Sequence, residues 1–273
     1  MNKQELFKQI QEKQSFLCIG LDTDINRIPK FLLECDDPIF EFNKRIIEAT
    51  HDLCVAYKPN LAFYESLGSK GISSLEKTLE VIPNEVFSIA DAKRGDIGNT
   101  TDMYAKAFFE NMGFDSITVS PYMGHDAVTP YLKYDGKWVI ILGITSNPGA
   151  DDLERLNLHN GKEVFEQVLE TASTWGSSDN SMFVVGATRP ELMQKVRAIV
   201  PDHFLLVPGV GAQGGDLNAI AEHGLNSTCG LLINSSRGII YASNEEDFAS
   251  RARENALELQ QAMAGLLDKA GLL

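Results

Sequence analysis

The stretch Val86–Lys93 reads VFSIADAK, and its reading decides the fold. A run that is apolar almost throughout stops abruptly at Asp91 and Lys93. A strand with one wet face would alternate apolar and polar residues, whereas a near-continuous run suits a parallel strand buried on both faces. The charges then stand where the strand leaves the core. Seven more runs share this form: FLCIGLD (Phe16–Asp22), CVAYKP (Cys54–Pro59), SITVSP (Ser116–Pro121), WVIILGIT (Trp138–Thr145), MFVVGA (Met182–Ala187), FLLVPG (Phe204–Gly209) and GLLINS (Gly230–Ser235).

Helical signals separate the runs. Ile39, Phe42, Ile46 and Ile47 form one apolar stripe, and Val164, Val168 and Leu169 another. Arg189-Pro190-Glu191 opens a helix with proline in its first turn. The last helix is expected from about Asn244 to Leu267, and the N-terminal MNKQELFKQIQEKQS reads as a polar amphipathic helix. Eight strand and helix units predict an α/β fold, a (β/α)₈ TIM barrel forming a single domain over residues 1–273. A doubly wound sheet would use fewer strands at this length.

Composition narrows the function classes. Apolar content of 44% and charged content of 23% over 273 residues are ordinary for a soluble globular chain. A net charge of −14 repels nucleic acid and anionic membrane surfaces, so neither is expected as a partner. The four cysteines, Cys18, Cys35, Cys54 and Cys229, have no metal-ligand spacing and read as thiols in a reducing compartment. The N-terminal segment lacks the apolar centre of a signal peptide, and a cytoplasmic location is expected.

Asp22, Lys58, Asp91, Lys93, Ser146 and Arg237 all fall at or just past the C-terminal end of a predicted strand, where barrel active sites form. Asp91 and Lys93, two apart, share one face of their strand. Asp96 follows at the start of the next loop, and Lys58 ends the neighbouring strand. The four can alternate as Lys, Asp, Lys, Asp, and a lysine set between carboxylates suits a proton donor. A buried ion-pair network that merely closes the barrel top would use the same residues.

PGVGAQGGD (Pro208–Asp216) contains G-x-G-x-x-G, but it follows the seventh strand and lacks the acid that a dinucleotide fingerprint carries about twenty residues on. With SSRG (Ser235–Gly238) after the eighth strand it fits a barrel phosphate site, Arg237 gripping the anion. Ser146 in TSNPGADD supplies a polar side chain on a bent loop. His125, His159 and His223 are isolated, and no metal-ligand spacing is found.

Taken in order, GLD, AYKPN, DAKRGDI, PGVGAQGGD and SSRGIIYA make the chain from about Phe16 to Tyr241 resemble the orotidine 5′-phosphate decarboxylase family, in particular its longer bacterial subgroup (type 2), with DAKRGDIGNT and SNPGADD. The resemblance implies a cofactor-free, metal-free lyase that converts orotidine 5′-monophosphate to UMP. Lys93 would deliver the proton to C6, Asp91 would face the departing carboxylate, and Lys58 would bridge Asp91 and the ribose. Asp22 would bind ribose hydroxyls, Ser146 the pyrimidine, Gln213 the base or phosphate, and Arg237 the phosphate. Asp96 and Thr100 would reach the neighbouring site of a homodimer. Two rivals remain: a Mg²⁺-dependent keto-sugar-phosphate decarboxylase or aldolase, whose strand-two glutamate is here replaced by Lys58-Pro59-Asn60, and a catalytically silent phosphosugar or nucleotide binder.

Overall fold

The computed structural model describes residues 1–186, 190–209 and 216–273. Eight parallel strands close into a barrel in sequence order. They are β1 (Leu17–Leu21), β2 (Ala56–Pro59), β3 (Phe87–Arg94), β4 (Ser116–Val119), β5 (Trp138–Ile144), β6 (Ser181–Val185), β7 (Phe204–Pro208) and β8 (Leu231–Ser235). Closure is made by β1 on β8, with Leu17 opposite Ile233 and Ile19 opposite Ser235. Each expected strand is present, because strand residues buried on both faces leave the apolar runs that the sequence shows.

The barrel floor is sealed by the helix Lys3–Lys13. A capping box starts it: Glu5 N–H donates to Asn2 Oδ1 at 2.9 Å, and Asn2 N–H to Glu5 Oε2 at 2.7 Å. Leu6 and Ile10 are fully buried beneath the strands. Three polar contacts tie this N-terminal segment to residues just before a strand or at its start. Lys3 Nζ donates to the Asp202 carbonyl at 2.7 Å, Lys13 Nζ to the Cys54 carbonyl at 3.0 Å, and Trp138 Nε1 to the Met1 carbonyl at 2.7 Å. With the floor filled, ligand access is left to the opposite mouth.

Two boundaries differ from the sequence expectation. The last helix is Phe248–Lys269 and starts later than Asn244. Ser243 holds the preceding residues in a turn, its hydroxyl accepting from Glu245 N–H at 3.1 Å and donating to Asp247 Oδ1 at 2.6 Å. In the helix Val164–Ala172 the buried face is Phe165, Leu169 and Ala172. Val164 and Val168 instead line a side cavity beside Leu142 and Leu153. The helix Pro190–Ile199 does open on Pro190, while Arg189 lies outside the described residues.

Cys18, Cys54 and Cys229 are buried, and burial pushes the thiols of Cys54 and Cys229 up to about 12. His203, just before β7, is buried as well, and neither ring nitrogen has a hydrogen-bond partner among the described residues. Burial, with the cations Lys3 and Arg197 nearby, pushes its imidazole down to about 4. Between pH 6.5 and 4 the folded chain therefore binds fewer protons than the unfolded one, so stability falls as the medium is acidified through that window. Urea titrations should show up to about 2–3 kcal/mol less stability at pH 4.5 than at pH 7 from this group. His203→Phe should shrink the difference, and an equal loss in both proteins would refute the assignment.

Candidate active site

The mouth is built around Asp91. β2 and β3 pair with Tyr57 opposite Ser88, which brings the end of β2 alongside the end of β3. Lys58 Nζ lies 2.6 Å from Asp91 Oδ2, and Lys93 Nζ lies 2.5 Å from Oδ1. Asp91 and Lys58 are buried, whereas the Lys93 side chain is 51% exposed and reaches toward solvent. Burial opposes charge on Asp91. The two ammonium groups outweigh it and hold the carboxyl well below the usual carboxylate range. For Lys58 the same balance runs in the other sense: burial lowers its affinity for the proton, but Asp91 and then Asp22 raise it overall.

Two features place Lys93. The β3–β4 register breaks between Ala90 and Arg94, and Lys93 adopts a left-handed φ of 47°. A non-glycine residue in that region is strained by about 1 kcal/mol or more. Thr118 in β4 secures it: its Oγ1 accepts from the N–H groups of Ala92 at 3.0 Å and Lys93 at 2.9 Å and donates to Asp91 Oδ1 at 3.1 Å. Thr118 escaped the sequence reading because a threonine inside a strand is ordinary. Its one signal is a place in the run next to the charged strand, three residues before that run ends at Pro121.

Beside Lys58 and Asp91 a cavity of about 170 Å³ is lined also by Asp22, Asn60, Asn234 and Arg237, with Pro208 and Gly209 at the end of β7; Lys93 is not among its lining residues. Asp22 follows β1, and its Oδ1 is buried with no hydrogen-bond partner among the described residues. Gly20 lets β1 approach β8: a Cβ there would stand 2.7 Å from the Ser236 Cβ. Arg237 is exposed at the rim; its guanidinium forms no ion pair or hydrogen bond among the described residues, while its carbonyl accepts from Tyr241 N–H at 3.3 Å. A second cavity of about 290 Å³ is lined by Asp22, Asp24, Arg27, Phe63, Arg237 and Tyr241. The wider hollow beside it, about 750 Å³, touches none of the trio.

Other expected residues stand apart. Asp96 does not complete an alternating quartet within one chain, because the glycine before it turns the backbone away from the strand. Its Oδ1 accepts from Ile97 N–H at 2.8 Å, and among the described residues it forms no ion pair. Thr100 is exposed on the helix Gly98–Ala105. Ser146 is half-buried past β5 and does not line the 170 Å³ cavity. Gln213 lies outside the described residues, as do Gly211 and Gly214 of the glycine-rich segment.

Among the described residues no three His, Cys, Asp or Glu side chains form a metal-binding group. Both Asp91 oxygens already accept from ammonium groups, which would repel a divalent cation at that carboxylate. Fold and site together define a (β/α)₈-barrel enzyme whose mouth is built from its own fixed charges. Residues 15–252 match the family described as orotidine 5′-phosphate decarboxylase / HUMPS, and the chain belongs to that family. It is 58% identical over 271 residues to orotidine 5′-phosphate decarboxylase of Flavobacterium johnsoniae, covering 98% of this chain and 99% of the relative. The Bacteroides fragilis protein of the same name is 57% identical, with 97% of each covered. Leishmania donovani OMP decarboxylase superposes with a TM-score of 0.82 at 37% identity, covering 97% of this chain and all of that one. The chain spans 56% of the longer Leishmania donovani UMP synthase, with a TM-score of 0.80.

Removing the central charge should expose what the trio costs. Asp91→Asn leaves Lys58 buried beside a neutral amide, with only the more distant Asp22 to offset it. Urea denaturation should show a loss of about 2–4 kcal/mol. Adding Lys58→Met should recover part of that loss, and an Asp91→Asn protein as stable as the wild type would disprove the coupling. The stabilisation from Asp91 is fully present above the unfolded carboxylate value of about 4 and fades as pH falls through the lower folded one.

Proposed function

We propose that this chain decarboxylates orotidine 5′-monophosphate to UMP and CO₂, the last step of de novo UMP synthesis, as a single-domain enzyme spanning residues 1–273. The observation that carries the reading is the Lys58–Asp91–Lys93 trio, with both Asp91 oxygens engaged and half of the Lys93 side chain exposed. The reaction breaks the bond between C6 and the carboxylate carbon, leaving its electron pair on C6. No electron sink is available in the pyrimidine of the kind that pyridoxal phosphate supplies. A fixed ammonium aimed at the developing charge meets that need. Lys93 transfers a proton from Nζ to C6 as CO₂ departs and recovers one from solvent, to which half of its side chain is open.

Asp91 keeps Lys93 in place and lies against the substrate carboxylate. Lys58 bridges Asp91 and the ribose, and the free buried oxygen of Asp22 accepts from ribose hydroxyls. Arg237 grips the phosphate, with Gln213 at the base or phosphate and Ser146 at the pyrimidine. The Mg²⁺-dependent keto-sugar reading is weakened by Lys58 standing where its metal glutamate would be. A silent binder would have no use for a strained Lys93.

The working unit is a homodimer in which Asp96 and Thr100 complete the partner's site. Support comes from the rim near Asp96, where Ile97, Met103, Tyr122 and Met123 are exposed. Phe108 and Phe109 are buried and pack within their own chain, so Met103 is the apolar residue that this segment offers outward. The acidic net charge disfavours nucleic acid and anionic membrane surfaces as partners. Among the described residues no helix is long and apolar enough to cross a membrane, and a cytoplasmic setting fits the substrate.

Loss of orotidine 5′-monophosphate absorbance should proceed in EDTA at the same rate as without it. Full loss of activity restored by Mg²⁺ would favour the keto-sugar rival. Lys93→Ala should cut turnover by about a thousandfold or more while leaving the calorimetric affinity for UMP nearly intact. Arg237→Ala should weaken that affinity by about ten- to a hundredfold, the worth of a charge-assisted hydrogen bond.

Subunit sharing has its own test. Lys93→Ala and Asp96→Ala chains, each inactive alone, are unfolded and refolded as an equal mixture. About a quarter of wild-type activity should return, since half the dimers then hold one intact site of two. A mixture that stays inactive would place Asp96 in its own chain's site.

A further inference from the structure

The phenol of Tyr241 sits between the two halves of the substrate site. Its Oη donates to the Asp22 carbonyl at 2.8 Å and accepts from Asp24 N–H at 2.7 Å, so both hydrogen-bonding roles of the hydroxyl are used on the loop that carries Asp22. Tyr241 itself follows the short helix Arg237–Ile240, which opens on Arg237. The ring is held independently of the hydroxyl. It stacks on Phe42 with centroids 5.9 Å apart, and the Arg27 guanidinium lies 4.1 Å from its centroid. Asp22, Arg237 and Tyr241 line one cavity of about 290 Å³.

The residues flanking Asp22 are pinned as well. Tyr64 Oη donates to the Leu21 carbonyl at 3.0 Å, and Thr23 Oγ1 donates to Asn43 Oδ1 at 2.6 Å. Those two bonds tie the β1 end to the helices behind it. The Tyr241 bonds are different, because they tie it across the β1–β8 seam to the segment bearing Arg237. Asp22 ends with a buried oxygen that has no partner among the described residues, so its position counts only if it is fixed in advance.

From this geometry we infer that Tyr241 is a positioning residue that couples the phosphate-gripping Arg237 to the ribose-binding Asp22, so that holding one end of the substrate fixes the acceptor for the middle. This rests on the roles given above to Asp22 and Arg237. A hydroxyl held only for stability would serve every substrate contact equally. A coupling hydroxyl matters only while both of its ends are in use.

The experiment measures kcat/KM for orotidine 5′-monophosphate in Tyr241→Phe, Asp22→Asn and Arg237→Ala, and in the two doubles that add Tyr241→Phe to each of the others. Phenylalanine keeps the ring contacts and deletes only the bridge. Tyr241→Phe alone should lower kcat/KM by about tenfold, chiefly through KM, as expected for one lost hydrogen bond at a fixed site. In either double the added penalty should shrink to less than about twofold, since one end of the coupling is already gone. A penalty of the same factor in all backgrounds would overturn the coupling and leave Tyr241 a stabilising residue. So would a Tyr241→Phe enzyme with unchanged kinetics. If instead Asp22→Asn and Arg237→Ala each left kcat/KM untouched, the ribose and phosphate assignments themselves would fail. The outcomes therefore separate the two readings. Orotidine, which lacks the phosphate, gives a second measure: Tyr241→Phe should lower its slow turnover by less than about twofold, and a full tenfold loss there would count against the coupling.

Discussion

A carboxylate buried between two ammonium groups is the constraint on which this mouth depends. Taking Asp91 out of water is costly, and the cost is offset only if Lys58 and Lys93 arrive within hydrogen-bonding distance with their charges intact. The barrel supplies that arrangement by register. β2 and β3 run parallel, and an isolated bridge from Asn60 to Asp91 continues their pairing past the ladder. The trio keeps one positive charge in surplus, and Asp22 stands close enough to support Lys58. With Asp22 counted these four charges balance, so the cation that an anionic ligand meets at this mouth is Arg237, in a chain whose overall charge is −14.

Holding Lys93 at the same carboxylate has a backbone cost. β3 is the longest strand, and its last residues leave regular pairing before Arg94. Lys93 then takes a left-handed φ of 47° that its Cβ disfavours. One threonine offsets this by accepting two consecutive N–H groups from the irregular segment and donating to Asp91. Arg94, next in sequence, pairs with Glu65 and lies over the rings of Tyr104 and Phe108. The strained residue is thus bracketed by a hydrogen-bonded clamp on one side and a stacked cation on the other, as expected where strain serves a function.

Most of the barrel was legible because a strand buried on both faces must be written in apolar residues, and the charges at the strand ends break that rule visibly. Lys58, Asp91 and Lys93 were conspicuous as charges where burial was expected. Thr118 and Tyr241 were not, since each is a common strand or helix-end residue whose importance lies in contacts far away in sequence. The start of the last helix was misplaced because Ser243 and Asp247 bond to each other and to the backbone, a competition with helix formation that apolar periodicity does not register. Val164 and Val168 kept the right period but the wrong phase, since Phe165 and Leu169 carry more apolar area into the core. Asp96 was read as a member of an alternating quartet, and one chain does not gather it there.

The same reasoning explains how an acidic protein can receive an anion. Charges on the surface are screened beyond a Debye length of about 8 Å at physiological salt, so the distant carboxylates contribute little at the mouth. What a ligand meets there is the Arg237 guanidinium without a partner among the described residues, then Arg27 over Tyr241, then the ammonium groups on Asp91. The floor is closed by Leu6 and Ile10, so this route leads inward from one side only. Inside, low dielectric strengthens each fixed charge, and the protein need not reorganise when the ligand's own charge moves during reaction. Attraction for an anion at this mouth follows from placing Arg237, with no side-chain partner among the described residues, just past β8, while Lys58 and Lys93 are balanced by Asp91 and Asp22.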